Sequence, residues 1–396
     1  MGPMSTPLDE LLVLDFTRVI AGPYLTQMLG DFGARVIKIE APGAGDDMRH
    51  YKPADWDAPD APGFIALNRH KQSVAIDIRH ESGQRACRDL AKRADILVEN
   101  FRPDVMARYG LDYRSLAAEN PRLIYCSISG YGHSSPYRLV AGYDPIAQAE
   151  SGLMYLTGEP EGEPQKAGAS IGDTFTSLHA GMGVMAALEA RHRTGEGQHV
   201  DVSLFDAMLS VQGFTSQIPL MTDREVPRVG NASLVLVPMG VFACADAPIM
   251  IVVGNDRQYQ KLCRDVFAAP ELADDHRFRS IASRLQHREL LQSIVTERLR
   301  EKPASHWVAR MRAAGVPAGE VRAPGAAVRS PEAVGRQMVT TVDYDGASVP
   351  TVGSPIRLSA TPVVTSGTVP RLGEHTESVL REVLGYDEAT IAELAK

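Results

Sequence analysis

Gly172 and Asp173 open the stretch of this chain best suited to chemistry. A carboxylate in that place has two readings. As an N-cap it accepts from the amides of the first helical turn. As a nucleophile it attacks an acyl or phosphoryl centre and carries the group covalently. A helix N-terminus keeps the acid ionised, and Gly172 leaves its oxygens approachable. The pattern alone does not choose between the two. Directly upstream, Gly168-Ala169-Ser170-Ile171-Gly172 fits the G-x-S-x-G elbow of serine hydrolases. That elbow needs a buried strand before it, and residues 161–166 (E-G-E-P-Q-K) are polar and turn-like, so the match is a decoy.

The elements that must hold Asp173 follow from periodicity. Phe175, Leu178, Met182 and Met185 share one helical face, with Arg191, His192 and Arg193 at its C-terminal end. Gly195 and Gly197 turn the chain into an alternating strand, Val200, Val202 and Leu204. Towards the N-terminus, strands are predicted over 11–16, 34–40, 73–78, 95–99 and 122–127, with helices over 22–30 and 82–93. Alternating strands and helices predict an α/β fold, an open parallel sheet of Rossmann-like form. No G-x-G-x-x-G follows the first strand, which argues against a nicotinamide dehydrogenase. Ligands in such sheets bind beyond the carboxyl ends of the strands. Those ends are residues 17–20, Glu40, residues 99–102 and the glycine-rich Ser129-Gly130-Tyr131-Gly132.

The texture changes near Asp223. A large domain over 7–222, a smaller α+β domain over 223–330 and a segment over 331–396 returning to the large domain are expected. In the last, Asp345-Gly346 makes a hairpin turn. His375 reads as a surface residue at a helix start rather than a base. The chain has 396 residues, 44% hydrophobic and 23% charged, with a net charge of −8, which disfavours nucleic acid as a partner. Cys87, Cys126, Cys244 and Cys263 form no C-x-x-C and read as reduced thiols of a cytoplasmic protein. The apolar run over 234–254 is broken by Pro238, Asp246 and Pro248, so it is read as two strands and not a membrane span. No metal-ligand spacing is present.

The G-D-x-x-x-x-x-x-x-G opening, M-A-A-L-E-A-R-H-R-T-G-E-G-Q-H-V-D-V-S and F-D-A resemble the class III CoA-transferase family, of formyl-CoA:oxalate and carnitine-CoA type. So do V-L-D-F-T-R-V-x-A-G-P, V-I-K-I-E, V-E-N-F-R-P and S-I-S-G-Y-G, over nearly the full chain. The resemblance implies that Asp173 attacks an acyl-CoA thioester and passes CoA to a free acid, with CoA and acyl-CoA as substrates and no permanently bound cofactor. It implies CoA contacts at Val19, Ile20, Lys71, Asn100, Phe101, Arg108 and Tyr131, and an interlocked homodimer. Gly130 and Gly132 are candidate amide donors to the oxyanion. The same superfamily holds α-methylacyl-CoA racemases, which use a His-Asp pair where this chain has Tyr143-Asp144. A phenol is a poor base at neutral pH, which favours transfer over α-proton exchange. A non-catalytic CoA-binding protein is the third reading. Arg224, Arg228 and Arg257 would suit a dicarboxylate. Ala232-Ser233-Leu234 and Met239 stand where many relatives carry His-Pro and an aromatic, which bears on acceptor choice.

Overall fold

The computed structural model describes residues 6–394. They form two compact units, one made of residues up to 153, 166–222 and 331 onward, the other of 154–165 and 223–330.

The first unit is built on six parallel strands: β1 (Leu12–Asp15), β2 (Arg35–Glu40), β3 (Lys71–Ala75), β4 (Ile96–Glu99), β5 (Ile124–Ser129) and β6 (His199–Ser203). Their order is β3-β2-β1-β4-β5-β6, so the connection reverses direction between β1 and β4, where such sheets open a crevice. Near-continuous apolar runs such as I-Y-C-S-I-S mark strands covered on both faces. Val13, Val36, Val98 and Ile124 pack on one side with α1 (Ala21–Asp31) and α4 (Ile171–Thr194). Leu14, Ile37, Leu97 and Tyr125 face α2 (Glu81–Ala91) on the other. The intervening α3 spans Asp144–Glu150, and α5 (Leu204–Val211) and α6 (Phe214–Thr222) follow β6. The chain end packs here too. Val379 and Leu380 join the second face, and the Ala75 amide donates to Thr376 Oγ1 at 3.0 Å. A hairpin of β10 (Val339–Tyr344) and β11 (Ala347–Val352) turns at Asp345-Gly346.

The expected apolar stripe of α4 is not its core face. Leu178, Met182 and Met185 are exposed, Met182 at 72%. The buried side is Thr176, Ser177, Ala180, Val184, Ala187, Leu188 and Arg191. Small residues let the helix approach α1 closely, and the Ser177 hydroxyl donates to the Ala21 carbonyl. Leu204 also differs from expectation, starting α5 instead of ending a strand, because Ser203 caps that helix by accepting from the Asp206 amide.

The second unit carries the antiparallel strands β7 (Met239–Ala243), β8 (Pro248–Val252) and β9 (Ala318–Glu320) over a core including Ile249, Ile251, Tyr259, Leu262, Trp307 and Met311. Residues 154–165 belong with it rather than with the large domain. Arg228 donates to the carbonyls of Tyr155, Glu159 and Gly162, and so ties that segment to 223–330. Among the described residues no helix is long and apolar enough to cross a membrane, and no group of three or more His, Cys, Asp or Glu is placed to hold a metal.

Candidate active site

The carboxyl ends of β1, β2, β4 and β5 surround a cavity of about 800 Å³ within the first unit. Val19 and Ile20 wall it after β1, Asn100 and Phe101 after β4, Gly130 after β5, and Asp173 at the start of α4. The β1 loop is held from several directions. Asn100 accepts from the Arg18 amide and donates to the Arg18 carbonyl, both at 2.8 Å. Val19 is left-handed at φ 68°, a strained conformation for a β-branched residue, and its amide donates to Asp46 Oδ1 at 2.9 Å. The Arg18 guanidinium lies 5.0 Å from the Phe101 ring centre.

Five carboxylates line this cavity, and four of them are paired with a cation. Glu40 meets Arg49, Asp46 meets Lys38, Asp47 meets Arg18 and Asp77 meets Arg79. Asp173, half-buried, has neither a cationic partner nor a hydrogen-bond donor on its carboxylate among the described residues. It is not an N-cap. Ser170 holds that position, and the Gly172 amide donates instead to Asp144 Oδ1 at 2.6 Å. Asp144 is buried, its other oxygen taking Gln148 Nε2 at 2.8 Å. Nor does the helix terminus keep Asp173 readily ionised. Burial, and then the neighbouring Asp144 charge, push its carboxyl up to about 7. Gly172 serves Asp144 rather than a substrate, since a Cβ there would stand 2.7 Å from Asp144 Oδ1. A free, destabilised carboxylate at the wall of a cavity is suited to nucleophilic attack.

Other expected contacts lie elsewhere. Lys71 is fully buried and away from the cavity lining, its Nζ donating to Asp15 Oδ2, the Pro23 carbonyl and Asn68 Oδ1 at 2.9 to 3.0 Å. Three acceptors inside the core claim its ammonium. Arg108 is exposed and outside the cavity lining. Tyr131 is outside it as well, its hydroxyl donating to Glu150 at 2.6 Å. The Gly132 amide is engaged by Ser129 Oγ at 2.9 Å, so of the two candidate glycines only Gly130 lines the cavity. In the second unit, Arg228 spends its donors on backbone carbonyls, while Arg224 and Arg257 are exposed. His375 stands at the N-cap position of a short helix, as expected, but it makes no side-chain capping bond and is half-buried with its Nδ1 unpartnered, so it is not the surface residue its position suggested. Sequence reasoning missed Arg79, and it weighed Tyr143-Asp144 only as the place of a racemase pair, not as the charge beside Asp173; it marked the loops holding Arg18 and Arg102 without singling those cations out. The T-R after β1 and the N-F-R-P after β4 carried that signal, since both lie at strand ends.

The sequence family described as CoA-transferase family III matches residues 8–376. A succinate–glutarate CoA-transferase of Agrobacterium fabrum is 39% identical over 390 residues, 97% of either chain. An acetyl-CoA:oxalate CoA-transferase of Acetobacter aceti is 39% identical over 354 residues, 89% of either chain. The human succinyl-CoA:glutarate CoA-transferase is 34% identical over 389 residues, 98% of this chain and 88% of that one. Among solved structures, a CAIB/BAIF family protein from Brucella suis superposes with a TM-score of 0.86 at 39% identity, covering 96% of this chain and all of that one.

Proposed function

This chain belongs to CoA-transferase family III, and from that premise we propose that Asp173 carries CoA from an acyl-CoA donor to a free carboxylic acid through covalent aspartyl intermediates. The observation that carries the reading is the unpaired Asp173 carboxylate on the cavity wall, beside loops that offer Phe101 and Arg18.

In the first step an Asp173 oxygen attacks the thioester carbonyl, the C–S bond breaks, and an aspartyl–acyl anhydride forms with a CoA thiolate. The thiolate then attacks the aspartyl carbonyl, which expels the donor acid and leaves an aspartyl-CoA thioester. The acceptor carboxylate attacks that thioester, giving a new anhydride and the thiolate. Thiolate attack on the acceptor's carbonyl releases the new acyl-CoA and frees Asp173. Each addition develops an oxyanion that a backbone amide near Gly130 stabilises. Arg18, Arg79 and Arg102 are the cations on hand for the phosphates of CoA, and Phe101 for its adenine. The relatives named for succinate, glutarate and oxalate point to a dicarboxylate acceptor. Mass spectrometry of protein incubated with succinyl-CoA tests the mechanism. A CoA adduct on the peptide bearing Asp173 is expected, and its absence during active turnover would overturn the covalent route.

The ionised acid is the nucleophile, so activity rises with pH through about 7 and falls about tenfold for each unit below it. Asp144→Asn keeps an acceptor for the Gly172 amide and removes the repelling charge. The acid limb of kcat/KM should then move down by about half to one pH unit. An unmoved limb would mean that Asp144 does not act on Asp173.

The protein works as a homodimer in this reading, in the cytoplasm, where its four unpaired thiols stay reduced. Support comes from the exposed apolar side chains of α4 and from Phe214, Leu220 and Met221 on α6, each at least 75% exposed in the single chain. Light scattering should give twice the chain mass, and Met182→Glu should shift it towards one. A wild-type protein of single-chain mass would end that part.

A further inference from the structure

Behind the cavity wall lies a polar cluster that the transfer chemistry does not use. Glu99, at the end of β4, is only 3% exposed, and its Oε2 accepts from the Phe101 amide at 2.9 Å. Its Oε1 stands 3.9 Å from His133 Nε2, a buried nitrogen with no hydrogen-bond partner. The His133 amide donates to Asp201 Oδ2 at 3.0 Å, which fixes the residue beside β6. The ring also meets His199 edge-on at 5.4 Å, and His199 Nε2 lies 2.9 Å from Ser127 Oγ. So one carboxyl touches the residue that presents Phe101 and faces the residue that starts the loop running to Val140, Ala141, Gly142 and Tyr143. Both segments line the cavity, while Glu99 and His133 themselves do not.

We propose that Glu99 and His133 are a pair of positioning residues, a brace that sets the Phe101 wall and the 133–143 wall of the cavity at a fixed spacing for the coenzyme. The orphaned nitrogen is the reason to look for a partner, since a buried polar atom without one is costly. Glu99 Oε1, 3.9 Å away, is the partner on offer, and in the brace its carboxyl proton donates to Nε2. Burial, with the Asp201 charge adding to it, pushes the Glu99 carboxyl up to about 7, so near neutral pH its proton is available to be shared with the imidazole. Ser127 and Tyr125 on β5 complete the polar groups around Glu99.

The inference rests on the cavity being the CoA site. Its test measures the affinity for free CoA by calorimetry and the kcat of exchange at saturating acyl-CoA. His133→Ala and Glu99→Ala should each weaken CoA binding about tenfold and change kcat less than about threefold. Glu99→Gln should stay within about threefold of wild type, because its carbonyl still accepts from the Phe101 amide and its amino group can donate to His133 Nε2. The double alanine variant should be no worse than the weaker single one, as expected for two ends of one contact. Unchanged CoA affinity in His133→Ala, effects that multiply in the double variant, or a loss confined to kcat would each overturn the brace while leaving the transferase reading intact. No CoA binding by the wild-type protein would overturn both.

Discussion

Asp173→Ala will lower CoA exchange between acids by at least about 10⁴-fold, because it removes the atom that forms the covalent bond. The neighbouring carboxylates will not substitute for it. Glu40, Asp46, Asp47 and Asp77 also line the cavity, yet each is held by a cation that makes it a weaker nucleophile. The variant should fold at least as well as the wild type. The folded chain holds the Asp173 proton more tightly than an unfolded chain does. That contribution therefore favours the fold at low pH and is lost as the pH rises through about 7. Removing the group at neutral pH relieves its burial and its repulsion by Asp144, so the thermal midpoint should be equal or higher. Exchange is checked by following isotope from labelled succinate into succinyl-CoA. Activity within about tenfold of wild type would assign the chemistry to another group.

Lys71→Met will cost the fold about 3 to 5 kcal/mol, the usual effect of stripping one partner from a buried ion pair. Lys71 and Asp15 are both completely buried and 2.9 Å apart. Burial pushes the Lys71 ammonium down to about 8 despite the adjacent carboxylate. Against its own burial, Asp15 is held well below the usual carboxylate range by Lys38 and Lys71, and by the Thr17 and Thr26 hydroxyls. Without Lys71, Asp15 and Asn68 Oδ1 each lose a charged donor inside the core. Urea denaturation should show the midpoint falling with an unchanged slope. A variant with wild-type stability and sharply weaker CoA binding would instead return Lys71 to the phosphate-binding role that the resemblance implied. The same network reaches the site indirectly, since Lys38 Nζ donates to the Thr17 carbonyl at 2.7 Å and pairs with Asp46, which receives the Val19 amide.

Much of this was legible before any coordinates. β1, β2, β4 and β5 read from their apolar runs, β6 from its alternation and the hairpin from Asp345-Gly346, while β3 runs over Lys71–Ala75 instead of the expected 73–78. Asp173, Val19, Ile20, Asn100, Phe101 and Gly130 were drawn from strand-end positions and motifs, and all six line one cavity. Lys71, Arg108, Tyr131 and Gly132 came by the same route and do not line it. A motif places a residue within a few positions of a ligand, but it does not say which way the side chain turns.

What the amino-acid order determined by itself is local. Periodicity, turn residues and glycine placement depend on neighbours a few positions away, and they specify elements and the identity of the acid at 173. Only the tertiary structure decided which charges meet. Lys71 and Asp15 are 56 positions apart, Gly172 and Asp144 are 28 apart, and neither pairing leaves a periodic trace. Those pairings settle that Lys71 is spent inside the core and that Asp173 is free but raised in pKa. Charge interactions and desolvation depend on distance and burial in three dimensions, and local patterning carries neither.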